Sequence, residues 1–231
     1  MIEQNLSGSV LKDNPPPKQE DVELIKLLKK PPLMELAPDD IYVRKVRLAG
    51  DRVDAYGGRF RTADLAKLLE LTRGAPLLIG HRKDTIGIAR FFNGDIEEYE
   101  GAEYIVPRFY WLKKHSAAED LRLSIDGGLV TEASISFTFR KPTCSVCGED
   151  IRTCLHRVGK RYMNTTEACF YYYDDIVSVN EGSLVYKGAE PGTGIELSDK
   201  REGFTPGDKL KIKLNGRLYL ATPLNVIEAL E

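Results

Sequence analysis

The most regular pattern in the chain runs over Leu129–Phe139 (LVTEASISFTF). There Leu129, Thr131, Ala133, Ile135, Phe137 and Phe139 alternate with Val130, Glu132, Ser134, Ser136 and Thr138. A period of two is that of a strand, with the first set turned to a core and the second to the outside. Weaker patterns predict strands over Ile41–Leu48, Leu77–Gly80, Thr85–Phe92, Glu103–Trp111, Cys169–Val179 and Ser183–Lys187. His81–Asp84 reads as a polar turn. Asn215-Gly216 suits a tight turn in a hairpin over Leu210–Ala221.

Helical spacing is rarer. Glu20–Lys30 places Val22, Leu24, Ile25, Leu27 and Leu28 on a short amphipathic helix, stopped by Pro31-Pro32. Thr62 is placed to cap a helix over Ala63–Thr72, with Leu65, Leu68 and Leu69 on one face. Ser116-Ala117-Ala118-Glu119 has the spacing of a capping box, opening a helix to Ile125 that Gly127-Gly128 ends. Residues 1–20, with Pro15-Pro16-Pro17, read as a flexible arm, and 188–206 as a loop. The expected class is mainly β with peripheral helices (α+β), arranged as a closed or nearly closed β-barrel. The expected organisation is an arm and helix over 1–40, a barrel domain over 41–195 and a hairpin-bearing extension over 196–231. A Cys-rich insertion occupies 141–168 of the barrel.

Composition narrows the function. The 231 residues are 42% hydrophobic and 29% charged, enough for a sizeable core and inconsistent with wholesale disorder. Lys plus Arg is 33 against 35 Asp plus Glu, a net charge of −2 that asks for neither a nucleic-acid nor a membrane partner. No run approaches the ~20 apolar residues of a membrane span. The opening MIEQNLSGSVLKDNPPPKQE does not read as a secretory signal, so a reducing interior is the expected compartment.

Clustered cysteines in that setting read as metal ligands. Cys144, Cys147, Cys154 and His156 follow C-x2-C-x6-C-x-H, a spacing suited to structural zinc, with Cys169 as an alternative to His156. Four protein ligands leave no open position for water, so the expected role is to staple a loop too small for its own core. The flanking Arg152, Arg157, Lys160 and Arg161 are offset by Glu149 and Asp150. The following CFYYYDD run reads as packing, not as a surface for base stacking.

Ser134 stands on a strand anchored by Ile135 and Phe137, which suits a nucleophile. A serine needs an adjacent base. Of the three histidines, His156 lies among the cysteines and His115 in a solvated Lys-rich stretch, which leaves His81 at the end of PLLIGH. The plainer reading is a surface serine and a structural histidine.

The segments FRTADLAKLLELTRGAPLLIGHRKDTIGIARF, LRLSIDGGLVTEASISFTF and EGSLVYKGAEPGTG together resemble, in order and spacing, the tailed-phage prohead (capsid maturation) proteases. That family shares its fold with the herpesvirus assembly proteases. The resemblance covers about residues 41–195, matching His81, Gly87, Ser134 and Glu181-Gly182-Ser183-Leu184-Val185 to the family's pattern. It implies a barrel of the herpesvirus-protease type and a serine endopeptidase, with Ser134 attacking and His81 moving the proton. The third group would be Glu181, with Glu132, Asp174 and Asp175 as further candidates. The implied partners are scaffold and major capsid protein, in the host cytoplasm inside the assembling procapsid or in the virion. Oligomerisation or encapsidation would gate activity, and neither nucleic acid nor membrane is required. Ser136 stands where the family usually has Gly, which leaves two alternatives: Ser136 as the nucleophile, or a catalytically silent structural component of the head or neck. A metal-dependent binding module unrelated to phage is a third reading.

Overall fold

The computed structural model describes residues 15–84, 87–163 and 165–185 in full, and strand backbone at 2–10, 210–214, 217–221 and 227–229. Along the chain run β1 (Ile2–Val10), α1 (Gln19–Lys26), β2 (Ile41–Arg47), β3 (Ala49–Gly50), β4 (Gly58–Arg59) and α2 (Leu65–Thr72). They are followed by β5 (Pro76–Ile79), β6 (Ala89–Tyr99), β7 (Ala102–Leu112), α3 (Ala118–Asp126), β8 (Glu132–Cys144) and β9 (Tyr171–Val185). Then come β10 (Leu210–Leu214), β11 (Arg217–Ala221) and β12 (Ile227–Ala229). The chain divides into two compact units, Met1–Glu196 and Leu197–Glu231.

The first unit is mainly β with few helices, as expected. Its strands pair in the order β2-β1-β8-β9-β5-β6-β7-β3, with β4 beside β9 and a further pairing of β2 with β7. The alternation in β8 turns Ala133, Ile135, Phe137 and Phe139 into the core, all essentially buried. There the Phe137 ring lies 4.8 Å from Phe60 and 4.9 Å from Tyr173. Leu65 and Leu68 of α2 and Leu121 and Ile125 of α3 pack into the same cluster. A second cluster joins Val22, Ile25 and Leu28 at α1 to Ile41, Val43, Phe92 and Tyr110. The nearly buried Asp21 carboxylate on α1 is held by Arg108 of β7 at 2.6 Å.

Several expectations change. Residues 2–10 are not an arm but β1, whose backbone runs antiparallel to β8 from Ile2 opposite Phe139 to Ser9 opposite Glu132. The apolar signal there is sparse; the hydrogen-bonding edge of β8 supplies what alternation does not. The two strands expected around residue 180 are one strand, β9. It stays paired with β8 through two register shifts, between Ser136 and Phe137 and between Thr138 and Phe139 of β8. A bulge absorbs the extra residues that look like a break in the pattern.

Thr62 does not cap α2; its hydroxyl donates to Asp51 at 2.6 Å, and Thr62–Asp64 form a 3-10 turn before the helix. The Ser116–Glu119 box does not form either, because α3 starts at Ala118 after Ala117 with no side-chain cap. Arg122 and Tyr42 engage Glu119 instead. In the second unit the expected hairpin is present as antiparallel β10 and β11, from Leu210 opposite Ala221 to Leu214 opposite Arg217. Its turn at Asn215-Gly216 and the expected loop at 188–206 lie outside the described residues. Among the described residues no helix is long and apolar enough to cross a membrane.

Gly182 is the tight point of β9. A Cβ built on it would come within 2.6 Å of the buried Phe91 ring. Gly182→Ala is therefore expected to cost about 1–3 kcal/mol through overpacking. In guanidinium denaturation the midpoint should fall with an unchanged slope.

Candidate functional site

Register builds the site. In the β8–β9 ladder Ser134 lies opposite Ser183, and Ser136 opposite Glu181. Directly opposed residues in antiparallel strands share a face, as do residues two apart along one strand. The four polar side chains therefore form one patch on a single face. On its other side β9 pairs in parallel with β5, with Ser183 beside Leu78 and Leu184 beside Ile79.

The chain then turns sharply. Gly80 and His81 have φ values of +60° and +59°, and the Arg82 N–H donates to the Ile79 carbonyl at 3.2 Å. Two central residues in the left-handed region and this closing bond mark a type I′ turn, which suits Gly followed by His. The Gly80 N–H continues the ladder to the Leu184 carbonyl at 2.8 Å. The next residue folds its ring back over β9.

There His81 Nδ1 meets Glu181 Oε1 at 2.6 Å. The second carboxylate oxygen, Oε2, accepts from the Ser183 hydroxyl at 2.7 Å. The Ser183 oxygen in turn accepts the backbone N–H of His81 at 3.0 Å. A carboxylate that accepts suits a ring with its proton on Nδ1, the tautomer in which Nε2 can act as a base. Glu181 and Ser183 are buried, with 2% and 0% exposure.

The structure thus joins His81 to Glu181 directly and sets Ser134 across from the serine that completes their network. No hydrogen bond links the Ser134 hydroxyl to the His81 ring among the described residues. The serine face is also not the open outside that alternation predicts. Ser134 is 5% exposed, and the fully buried Ser136 receives a 3.4 Å hydrogen bond from Asn180.

The other acidic candidates lie outside this network. Asp174 holds Arg61 through two bonds of 2.7 and 2.9 Å. Glu132 lies opposite Val185 at the end of the ladder. Asp175 is an exposed residue with φ +58°. His115 accepts the Ala117 N–H at the surface. Ser183 is the member that sequence reasoning missed, although its spacing of two from Glu181 puts both on one face. A cleft of about 600 Å3 lies between the Asp51–Arg59 loop and the 158–170 segment, and none of His81, Ser134 or Glu181 lines it.

The second cluster stands where β8 ends. The ligand atoms of Cys144, Cys147, Cys154 and His156 lie within 4.8 Å of one another and can hold a metal ion. The Val146 N–H points at the Cys144 sulfur at 3.4 Å, and Gly148, at φ +77°, lets the turn close on the Cys144 carbonyl. Burial pushes the Cys144 thiol up, but the backbone N–H groups of Cys147 and Val146 outweigh it and the net direction is down. Burial, then the Cys144 sulfur 3.9 Å away, push the Cys169 thiol up to about 11. His156 Nδ1 is buried without a hydrogen-bond partner, which is what a nitrogen meant for a metal leaves behind. The donor set fits the group expected from its spacing.

No family model, curated protein or solved structure matches the chain.

One equivalent of divalent metal per chain is expected by elemental analysis after purification without chelator. Cys154→Ser should lose it and lower the thermal midpoint. A chain that is equally stable and metal-free with all its cysteines reduced would refute the cluster.

Proposed function

We propose that the chain is a serine endopeptidase that matures the head of a tailed phage, with Ser134 as nucleophile, His81 as general base and Glu181 as the group that holds the base. The observation that carries this reading is the 2.6 Å bond from His81 Nδ1 to Glu181, made over the strand next to Ser134. His81 Nε2 takes the Ser134 proton as the oxygen attacks the scissile carbonyl, and Glu181 stabilises the imidazolium. The ring then gives the proton to the leaving amine, and water releases the acyl group by the same route. Ser134 is preferred to Ser136 because Ser136 is fully buried and hydrogen-bonded to Asn180.

The wider features of the reading rest on the resemblance and on further observations. The pairing of β2 with both β1 and β7 supports a barrel of the herpesvirus-protease type. Three thiols and an imidazole favour zinc, as a tetrahedral staple without a catalytic part. Scaffold and major capsid protein are the substrates, cleaved inside the procapsid, with self-association or enclosure as the gate. The second reading, a catalytically silent head component, is favoured by the 5% exposure of Ser134 and the absence of a bond to His81. Against it, catalytic hydrogen bonds are commonly long until substrate binds.

A fluorophosphonate probe separates the two. Labelling should be lost in Ser134→Ala and kept in Ser136→Ala, and Ser134→Ala should lower cleavage of scaffold by at least ~1,000-fold. Head proteins processed normally with only Ser134→Ala present would refute the catalytic reading.

Glu181→Gln should lower kcat by about 100- to 10,000-fold, because the amide no longer fixes the Nδ1–H tautomer. An unchanged kcat in a folded variant would remove Glu181 from the site.

A further inference from the structure

We infer that Ser183 is a positioning residue that locks the His81 imidazole in its base-competent tautomer, acting at once on the carboxylate and on the backbone of the turn. The inference rests on the catalytic reading of His81 and Glu181.

Ser183 has no exposure, which rules it out as a residue that meets substrate in this state. Its hydroxyl nevertheless has two demanding partners. It donates to Glu181 Oε2 at 2.7 Å and accepts the His81 N–H at 3.0 Å. The second bond matters because His81 sits at φ +59°, a conformation that non-glycine residues rarely hold without support. The first matters because a free carboxylate can rotate. With Oε2 tied to Ser183, Oε1 is left aimed at Nδ1. One hydroxyl therefore sets both ends of the His81–Glu181 contact, the ring's root and the ring's acceptor.

The same geometry explains why a hydroxyl is needed. Alanine would leave the His81 N–H without its acceptor and Glu181 with one bond fewer, in a place where water has little access. Threonine keeps the oxygen. The sheet constrains the choice further. Ser183 lies between Ser134 on β8 and Leu78 on β5, so the residue that fixes the base is also the direct neighbour of the nucleophile.

The experiment uses the full chain with 15N-labelled histidine and reads the three imidazoles by NMR. Wild type is expected to show His81 as a single Nδ1–H tautomer with a slowly exchanging proton. Ser183→Ala should show tautomer mixing and faster exchange of that proton, and Ser183→Thr should restore the wild-type pattern. This arm stands without any peptidase assay, so failure of the catalytic reading and failure of this inference are distinguishable. In the cleavage assay Ser183→Ala should lower kcat by about 100-fold at unchanged KM, the scale of a misplaced catalytic group. An unaltered His81 tautomer and exchange rate in folded Ser183→Ala would overturn the inference. So would a fluorophosphonate adduct that maps to Ser183.

Discussion

The register between β8 and β9 is the constraint on which the site depends. These are the two longest strands, and their pairing sets Ser134 against Ser183 and Ser136 against Glu181. A slip of one residue in either strand would send half of this patch to the opposite face. The apolar members of β8 guard against that slip. Ile135 and Phe137 must stay in the core, and they alternate with the two serines. Burial on one face thus fixes chemistry on the other.

The cluster that can hold a metal stands at the other end of the same ladder. Cys144 is the last residue of β8 and lies opposite Tyr171, the first of β9. The intervening chain is long for a hairpin connection and has little core of its own; Leu155 and Met163 within it are almost wholly exposed. A metal held by Cys144, Cys147, Cys154 and His156 would shorten the loop that must be closed between the strands. Such a metal would stabilise the pairing from the end of the ladder, apart from the polar patch formed by Ser134, Ser136, Glu181 and Ser183.

Much of this was legible in the residues. The β8 alternation, the helices at α1, α2 and α3, the metal-spaced cysteines and the candidate set of His81, Ser134 and Glu181 can all be read from pattern and from resemblance. What failed to show has physical causes. β1 is held by a neighbour's hydrogen-bonding edge, which leaves no periodic trace. The unity of β9 depends on bulges, and the Asn180-Glu181-Gly182 stretch looks like a turn until its partner is present. The capping signal at Thr62 was overridden by a tertiary partner, Asp51, and the one at Ser116 by a helix that starts one residue later, with Glu119 engaged by Tyr42. The burial of Ser134 and Ser136 is invisible to alternation, since alternation separates faces but does not say what covers them.

That burial bears on why the patch exists at all. A carboxylate with 2% exposure is costly to fold around unless its oxygens are hydrogen-bonded. Glu181 meets this requirement through His81 and Ser183, one on each oxygen. Stability alone would be served as well, or better, by apolar residues of similar volume in those places. Instead the chain keeps a buried acid and a part-buried histidine, and holds that histidine in a left-handed turn that itself needs support. Each feature is a cost to the fold, and all of them converge on the His81 ring and the turn that carries it. That convergence is what the proposed role of His81 as a base would use, and the demands of stability alone do not call for it.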